Sequence, residues 1–334
     1  MNNILLIIII FTSLLLTELI RRYSLKKNLL DTPNERSSHS IATPRGGGLS
    51  IVLVFLISIG LSDLQPTNIV YALIGSGILV AVVGFLDDQG HIAAKWRLLV
   101  HFMAVAWVLY WLGGIPEFQL LGFTINLSWL SFLIVAIILV WLLNLFNFMD
   151  GIDGIAASET IFISCGGAYF LWLAGLENLS FIALILAAST AGFLILNWPP
   201  AKIFMGDVGS GFLGLMLGVI AYATILQGML VWIWVILFGI FLVDSGVTLL
   251  RRILNGERWY EAHCSHAYQH AARKWGHKRV SISVMIINLF FLFPLALLSH
   301  LKPEMGIIFT LLTFIPLIII ALKFKAGITD NINN

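Results

Sequence analysis

The sequence predicts an all-α, polytopic integral membrane protein, and three observations carry that prediction. Of its 334 residues 59% are hydrophobic and 11% charged, with a mean hydropathy of +0.97; a soluble globular domain carries about 25% charged residues. The apolar residues run in stretches close to the ~20 that a helix needs to cross the hydrocarbon core. The charged residues gather between those stretches. A soluble enzyme is excluded, and a net charge of +2 supplies no basic field for nucleic acid, so none is expected as a partner.

In order, eleven spans are expected, over residues 3–20, 47–62, 69–86, 97–113, 129–146, 158–174, 180–196, 210–226, 230–249, 281–299 and 306–322. The first has no basic residues before its apolar run and no small-residue cleavage site. Arg21, Arg22, Lys26 and Lys27 follow it instead, so it reads as an uncleaved span rather than a signal peptide. The second is Gly-rich at its start, and only Gln227-Gly228 separates the eighth from the ninth. Segment 114–128, with Gly113-Gly114 and Pro116 at its start, reads as an external loop. Cys165 lies in an apolar run and Cys264 in a basic loop, so no disulfide is expected.

Lys and Arg favour the cytoplasmic side. With the N-terminus outside and the C-terminus cytoplasmic, all 19 basic residues but Lys302 fall at or within inner loops and the C-terminal tail. The inner loops are then 21–46, 87–96, 147–157, 197–209 and 250–280. The whole chain, 1–334, reads as a single domain whose active site those five loops form.

Acidic clusters stand only where apolar stretches end. Asp87-Asp88 closes the third span, where the helix dipole disfavours acids; function is the better reading than a solvated end. Asp150 and Asp153 are three apart, and Asn147 three before, so all share a face if the segment is helical. A Gly-rich turn using Asp as turn former is the plain alternative. Asp207 lies between Gly206 and Gly209 at the start of the eighth span, where backbone can approach a ligand and a helix N-terminus favours phosphate. Carboxylates of this kind suit Mg²⁺, which takes one or two of them together with substrate phosphates. Metal, phosphate-facing amides and cations are the parts of phosphoryl transfer. His263 and His266 could bind metal or phosphate, or neither. Asp244, inside the ninth span, is costly in lipid; pairing with Arg251 or another cation is the favoured reading.

In chain order, Asp31-Thr-Pro-Asn34, Thr43-Pro-Arg-Gly-Gly-Gly48, the Asp87-Asp88 pair, Asn147-x-x-Asp-Gly-x-Asp-Gly154, Met205-Gly-Asp-x-Gly-Ser210 and His263-Cys-Ser-His266 resemble the motifs of the polyprenyl-phosphate N-acetylhexosamine-1-phosphate transferases. This is glycosyltransferase family 4, which includes MraY-type translocases and WecA-type initiators. The resemblance implies an MraY-like fold in a bacterial inner membrane, with its active site facing the cytoplasm. It implies transfer of a sugar-1-phosphate from a UDP-N-acetylhexosamine to undecaprenyl phosphate, releasing UMP. Mg²⁺ is expected, with Mn²⁺ an acceptable substitute, and a homodimer is compatible.

Carried over by position, Asp207 matches the metal ligand and Asp150 lies near the metal and diphosphate. Phe204 matches the aromatic that stacks on uracil, with Asn197, Asn147 and Asp153 in the nucleotide pocket and Arg45 binding substrate. Asp87 is the expected base toward the lipid phosphate, Asp88 stands beside it, Lys95 contacts phosphate, and His263 and His266 match the histidine motif.

Two departures argue against the muramoyl-pentapeptide translocase. The two histidines are separated, where MraY-type enzymes have three adjacent, and Ile41-Ala42 stand where a lysine is expected. The stretch 258–269 looks closer to the O-antigen-initiating branch of surface polysaccharide synthesis. Rival classes fare worse. A secondary transporter would place its polar site near the bilayer midplane, and a CDP-alcohol phosphotransferase needs an Arg soon after the first Asp-Gly, which 150–158 lacks.

Overall fold

In a computed structural model the chain is described over residues 3–33, 41–62, 64, 67–90, 92–114, 118–120, 123–125, 129–257 and 264–328. Helices make up nearly all of it. In order they are α1 (Asn3–Lys26), α2 (Gly48–Leu61), α3 (Asn68–Gln89), α4 (Ala94–Leu112), α5 (Leu130–Met149), α6 (Ile155–Leu173) and α7 (Glu177–Asn197). Then follow α8 (Asp207–Ile225), α9 (Val231–Leu237), α10 (Gly239–Leu254), α11 (Ala267–Trp275), α12 (His277–Ile287), α13 (Phe293–Leu301) and α14 (Gly306–Lys323). A π-helical turn, Asn288–Leu292, joins α12 to α13. Two small antiparallel ribbons complete it: β1 (Leu30–Asp31) with β2 (Thr43–Pro44), and β3 (Phe118–Leu120) with β4 (Phe123–Ile125).

Every expected span falls on helix, and the all-α polytopic class stands. Among the described residues eight helical segments, α12 and α13 forming one, are long and apolar enough to cross a membrane. The expected ninth span is two helices, α9 and α10, bent by 74° at their junction, which makes a ninth crossing if the pair is one span. The two remaining expected spans fall short of that standard. At 14 residues α2 is about 21 Å long, and α4 begins on Lys95 and Arg97, which lower its hydropathy. Segment 114–128 contributes the β3–β4 ribbon. One helix has no counterpart among the expected spans: α11, whose Ala267, Tyr268, Gln269, Ala271 and Ala272 are buried while Arg273 and Lys274 are exposed.

The central helix is α8, buried along almost its whole length and packed by α3, α5 and α2. Lipid tails are as apolar as Leu, so helices here associate through close packing and polar bonds. A Cβ on Gly84 of α3 would stand 2.7 Å from the Asp207 carbonyl oxygen, and one on Gly209 2.7 Å from the Gly48 Cα. These glycines bring the ends of α2 and α3 onto the start of α8. Hydroxyls and amides supply the glue: Ser13 donates to the Ser189 carbonyl at 2.5 Å, Thr17 and Ser50 share a bond of 2.7 Å, and Asn288 donates to Glu159 at 2.6 Å.

Asp244 departs from the expected cation partner. Its carboxylate accepts the Ala267 and Tyr268 amides, both at 2.9 Å, and meets His266 Nδ1 at 3.2 Å. It thus satisfies the orphan N–H groups at the start of α11 from another helix, while Arg251 donates to the Ala326 carbonyl. Asp244 is 6% exposed, so Asp244→Ala strips a buried cap. The expected loss is about 2–4 kcal/mol, read as a lower Tm in detergent, with Asp244→Asn intermediate.

Candidate active site

Three local structures build the site. The strand pair around Pro44 continues into the segment before α8: the Phe204 amide donates to the Pro44 carbonyl at 2.8 Å, and the Gly47 and Gly48 amides donate to the Phe204 and Met205 carbonyls at 2.9 and 2.8 Å. That ladder ties the Arg45 loop to Phe204. At the end of α3, the Asp88 carboxylate accepts the Asp207 and Val208 amides at 3.0 and 3.1 Å. The first amides of α8 therefore already hold an anion, a carboxylate of this chain, where phosphate was expected.

The third structure is the acidic turn between α5 and α6. Asp150 ends α5, and Gly154 at φ 74° turns the chain into α6. The turn is gripped from several sides. The Ala201 amide donates to Asp153 at 3.0 Å, the Gly154 amide to Asn197 Oδ1 at 3.0 Å, and the Ser281 hydroxyl to the Asp153 carbonyl at 2.9 Å. His277 Nδ1 is 3.2 Å from the Asp153 carboxylate. Tyr268 donates its hydroxyl to the Phe148 carbonyl at 3.0 Å; burial, with the charges of Asp244 and Asp150, pushes that phenol well above its ordinary value.

These pieces surround one cavity of about 330 Å³. Asp88, Asp150, Asp153, Asp207, Asn147, Asn197, Phe204 and Arg45 all line it, and each of the five loops named above contributes at least one lining residue. The acidic turn is the Gly-rich turn of the plain alternative rather than a continuing helix, and it also forms a wall of the cavity.

Other expected site residues lie elsewhere. Asp87 accepts the Ile92 amide at 2.7 Å and pairs with Arg97, outside the cavity lining. Lys95 is exposed and lies over the Trp96 ring. His266 is buried against Asp244, and His263 falls outside the described residues.

Sequence reasoning missed Arg97, Gln269 and His277. From a single nitrogen Arg97 donates to Asp87 and, at 3.1 Å, to Asp207. Its signal was available, because a cation in the first turn of a helix opposes the dipole and calls for a partner. Gln269 and His277 line the cavity through α11 and the start of α12, and the basic loop gave no cue to that packing.

The donor set fits a divalent cation that completes its shell with substrate. Burial first, and then the charges of Asp207, Asp153 and Asp88, push Asp150 well above the carboxylate range. A cation would relieve that repulsion. No three His, Cys, Asp or Glu among the described residues converge as a complete protein cage, and Mg²⁺ bound through one or two carboxylates does not require one.

A raised folded-state value means stability present at low pH and lost as pH rises through that value. Asp150→Asn, which never ionises, should match wild type in acid. Without divalent cations its advantage should then grow by roughly 1.4 kcal/mol per pH unit crossed. Melting curves against pH check it, and parallel curves would refute it.

Comparison with known proteins agrees with this geometry. Residues 70–225 match the family model described as "Glycosyl transferase family 4", a stretch that holds Asp87, Asp88, Arg97, the acidic turn, Asn197, Phe204 and Asp207. The chain is also 28% identical over 334 residues to a Bacillus subtilis (strain 168) protein named "Probable undecaprenyl-phosphate N-acetylglucosaminyl 1-phosphate transferase", covering 98% of this chain and 92% of the relative. The matched stretch supplies most of the cavity wall, and the similarity to the relative runs almost end to end.

Proposed function

We propose that the chain transfers an N-acetylhexosamine-1-phosphate from a UDP-sugar to undecaprenyl phosphate at the cytoplasmic face of a bacterial plasma membrane, releasing UMP. The observation that carries this reading is the single cavity in which five carboxylates, an aromatic ring and an arginine from separate loops meet. Phe204 offers its ring to the uracil, while Asn197, already bonded to the Gly154 amide and the Ile203 carbonyl, keeps the nucleotide wall rigid. Asp207 and Asp150 would hold Mg²⁺, which when bound neutralises charge on the diphosphate.

The reaction is read as direct displacement. An oxygen of the lipid phosphate attacks the phosphorus that carries the sugar, that phosphorus forms its new P–O bond to the lipid, and the bond to UMP breaks. A phosphate monoester with a second pKa of about 6 is already largely dianionic at neutral pH, so little base catalysis is required. The carboxylates that could act as nucleophiles in a two-step route are occupied. Both Asp88 oxygens accept amides of α8, and Asp87 is held by Arg97 and the Ile92 amide. An aspartyl-phosphate intermediate would need one of them freed.

The sugar favoured by the stretch 258–269 is that of an O-antigen or other surface-polysaccharide initiator. Incubating purified protein with a panel of radiolabelled UDP-N-acetylhexosamines and undecaprenyl phosphate tests both points. Label in the lipid extract with equimolar UMP is expected. Labelled phosphate trapped on Asp87 or Asp88 would overturn direct attack, and absence of any lipid product would overturn the reading.

A further inference from the structure

One acid stands outside the cavity lining and has no part in the proposed reaction. Glu159 lies in the second turn of α6 and is fully buried. Its hydrogen-bond partner among the described residues is the Asn288 side chain, which donates to Oε2 at 2.6 Å. Asn288 is itself 1% exposed and opens the π-helical turn between α12 and α13. Such turns are frequent at functional sites.

The hydrogen bonds of this pair do not close if the acid is ionised. Glu159 Oε1 and Asn288 Oδ1 are both buried without a partner among the described residues. A carboxylate and an amide carbonyl are both acceptors, so neither can satisfy the other. A proton on the carboxyl removes the conflict. The acid O–H then donates to the Asn288 carbonyl, while the Asn288 N–H donates to the second carboxyl oxygen. One proton thus pairs both orphaned oxygens and removes a lone charge from a helix that crosses the membrane, where such a charge is costly.

The place of the pair gives it a role. Val280, Ser281 and Val284 form the buried face of α12, and Asn288 continues that face at the π-turn. Near the start of the same helix, Ser281 donates to the Asp153 carbonyl and His277 meets the Asp153 carboxylate. Asp153 stands six residues before Glu159, and Ser281 seven before Asn288. The α12 segment is therefore tied to α6 and its leading turn at two points, one at the cavity and one inside the bundle.

Resting on the reaction proposed above, we infer that Glu159 is a positioning residue: as a neutral acid closed onto Asn288, it fixes the register of α12 against α6 and so holds His277 and Ser281 on the acidic turn. It touches no substrate. Its influence reaches the nucleotide wall through α12 and Asp153.

The test uses full-length protein in bilayer nanodiscs. Infrared spectra at neutral pH should contain the carbonyl band of a protonated carboxylic acid that Glu159→Gln removes. Glutamine rebuilds the pair from two amides, so this variant should keep the wild-type Tm and UDP-sugar KM. Glu159→Leu leaves the Asn288 amide unpaired. It should lower the Tm and raise the UDP-sugar KM about three- to tenfold, the worth of one hydrogen bond, with kcat held. Adding Asn288→Leu leaves no polar group of the pair buried alone, so stability should largely return while KM stays raised. Ser281→Ala should also raise KM, and its effect combined with Glu159→Leu should be less than multiplicative, because both act through α12.

Identical acid bands in wild type and Glu159→Gln would overturn the neutral pair. The positioning role would be overturned by a wild-type KM in the double leucine variant, by a Glu159→Gln KM as high as that of Glu159→Leu, or by fully multiplicative effects of Glu159→Leu and Ser281→Ala. The acid band and the Tm series need no turnover. Protein that shows both yet transfers nothing from any UDP-N-acetylhexosamine would overturn the reaction and leave the pair standing.

Discussion

Asp207→Asn is expected to lower transfer of sugar phosphate into lipid by roughly 10²- to 10³-fold, the usual cost of removing one charge-stabilising group from a transfer site. Asp207 is the first residue of α8, its side chain is 36% exposed, it lines the cavity, and among the described residues its ion-pair partner is Arg97. The substitution preserves shape and leaves the helix start intact, because the cap on α8 comes from Asp88. Folding, read by Tm, should therefore barely change while turnover collapses. The Mg²⁺ dependence should weaken with it, since this carboxylate is the proposed ligand. Substantial remaining turnover with an unaltered Mg²⁺ titration would remove Asp207 from that role.

Arg97→Ala should cost both stability and rate. It leaves Asp87, 8% exposed at the side chain, with only the Ile92 amide among its described partners, and exposes Asp207 to an uncompensated neighbour. Breaking a buried pair costs about 3–5 kcal/mol, but Arg97 is itself a third exposed, so solvent reduces the expected loss to roughly 1–3 kcal/mol. Turnover should fall about 10- to 100-fold, because the proposed metal ligand Asp207 would lose the partner that positions it. Both bonds leave from one Arg97 nitrogen, so Arg97→Lys should recover most of the stability. Calorimetry in detergent beside initial rates separates the two effects, and an alanine variant matching wild type in both would show the bridge to be dispensable.

Much of this molecule could be read in advance, and the limits follow from range. The positions of the spans depend on runs of apolar residues, a local property, and every run proved helical. The acids stood out by their place at span ends, and most of them line one cavity. What could not be read was pairing. Asp88 joins residues 119 and 120 positions away, and Asp244 joins one 22 away rather than the arginine about two turns on. Which partner wins depends on glycine-permitted approaches between helices, and spacing along the chain does not encode them. The bend between α9 and α10 escaped for a related reason. Hydropathy averages across a break that leaves both halves apolar, and so α11, the helix that Asp244 secures, also went unforeseen.

The grip of α12 on the acidic turn has a consequence for biosynthesis. A chain emerging from the ribosome inserts α1 to α8 early and by then carries every carboxylate of the cavity. The Ser281 hydroxyl, the His277 ring and the Gln269 amide that complete it arrive only with the last third of the chain. Until then the acidic turn has only part of its frame, and repulsion among the carboxylates works against its native shape. The frame of the proposed transfer site is therefore complete only once α12 is in place.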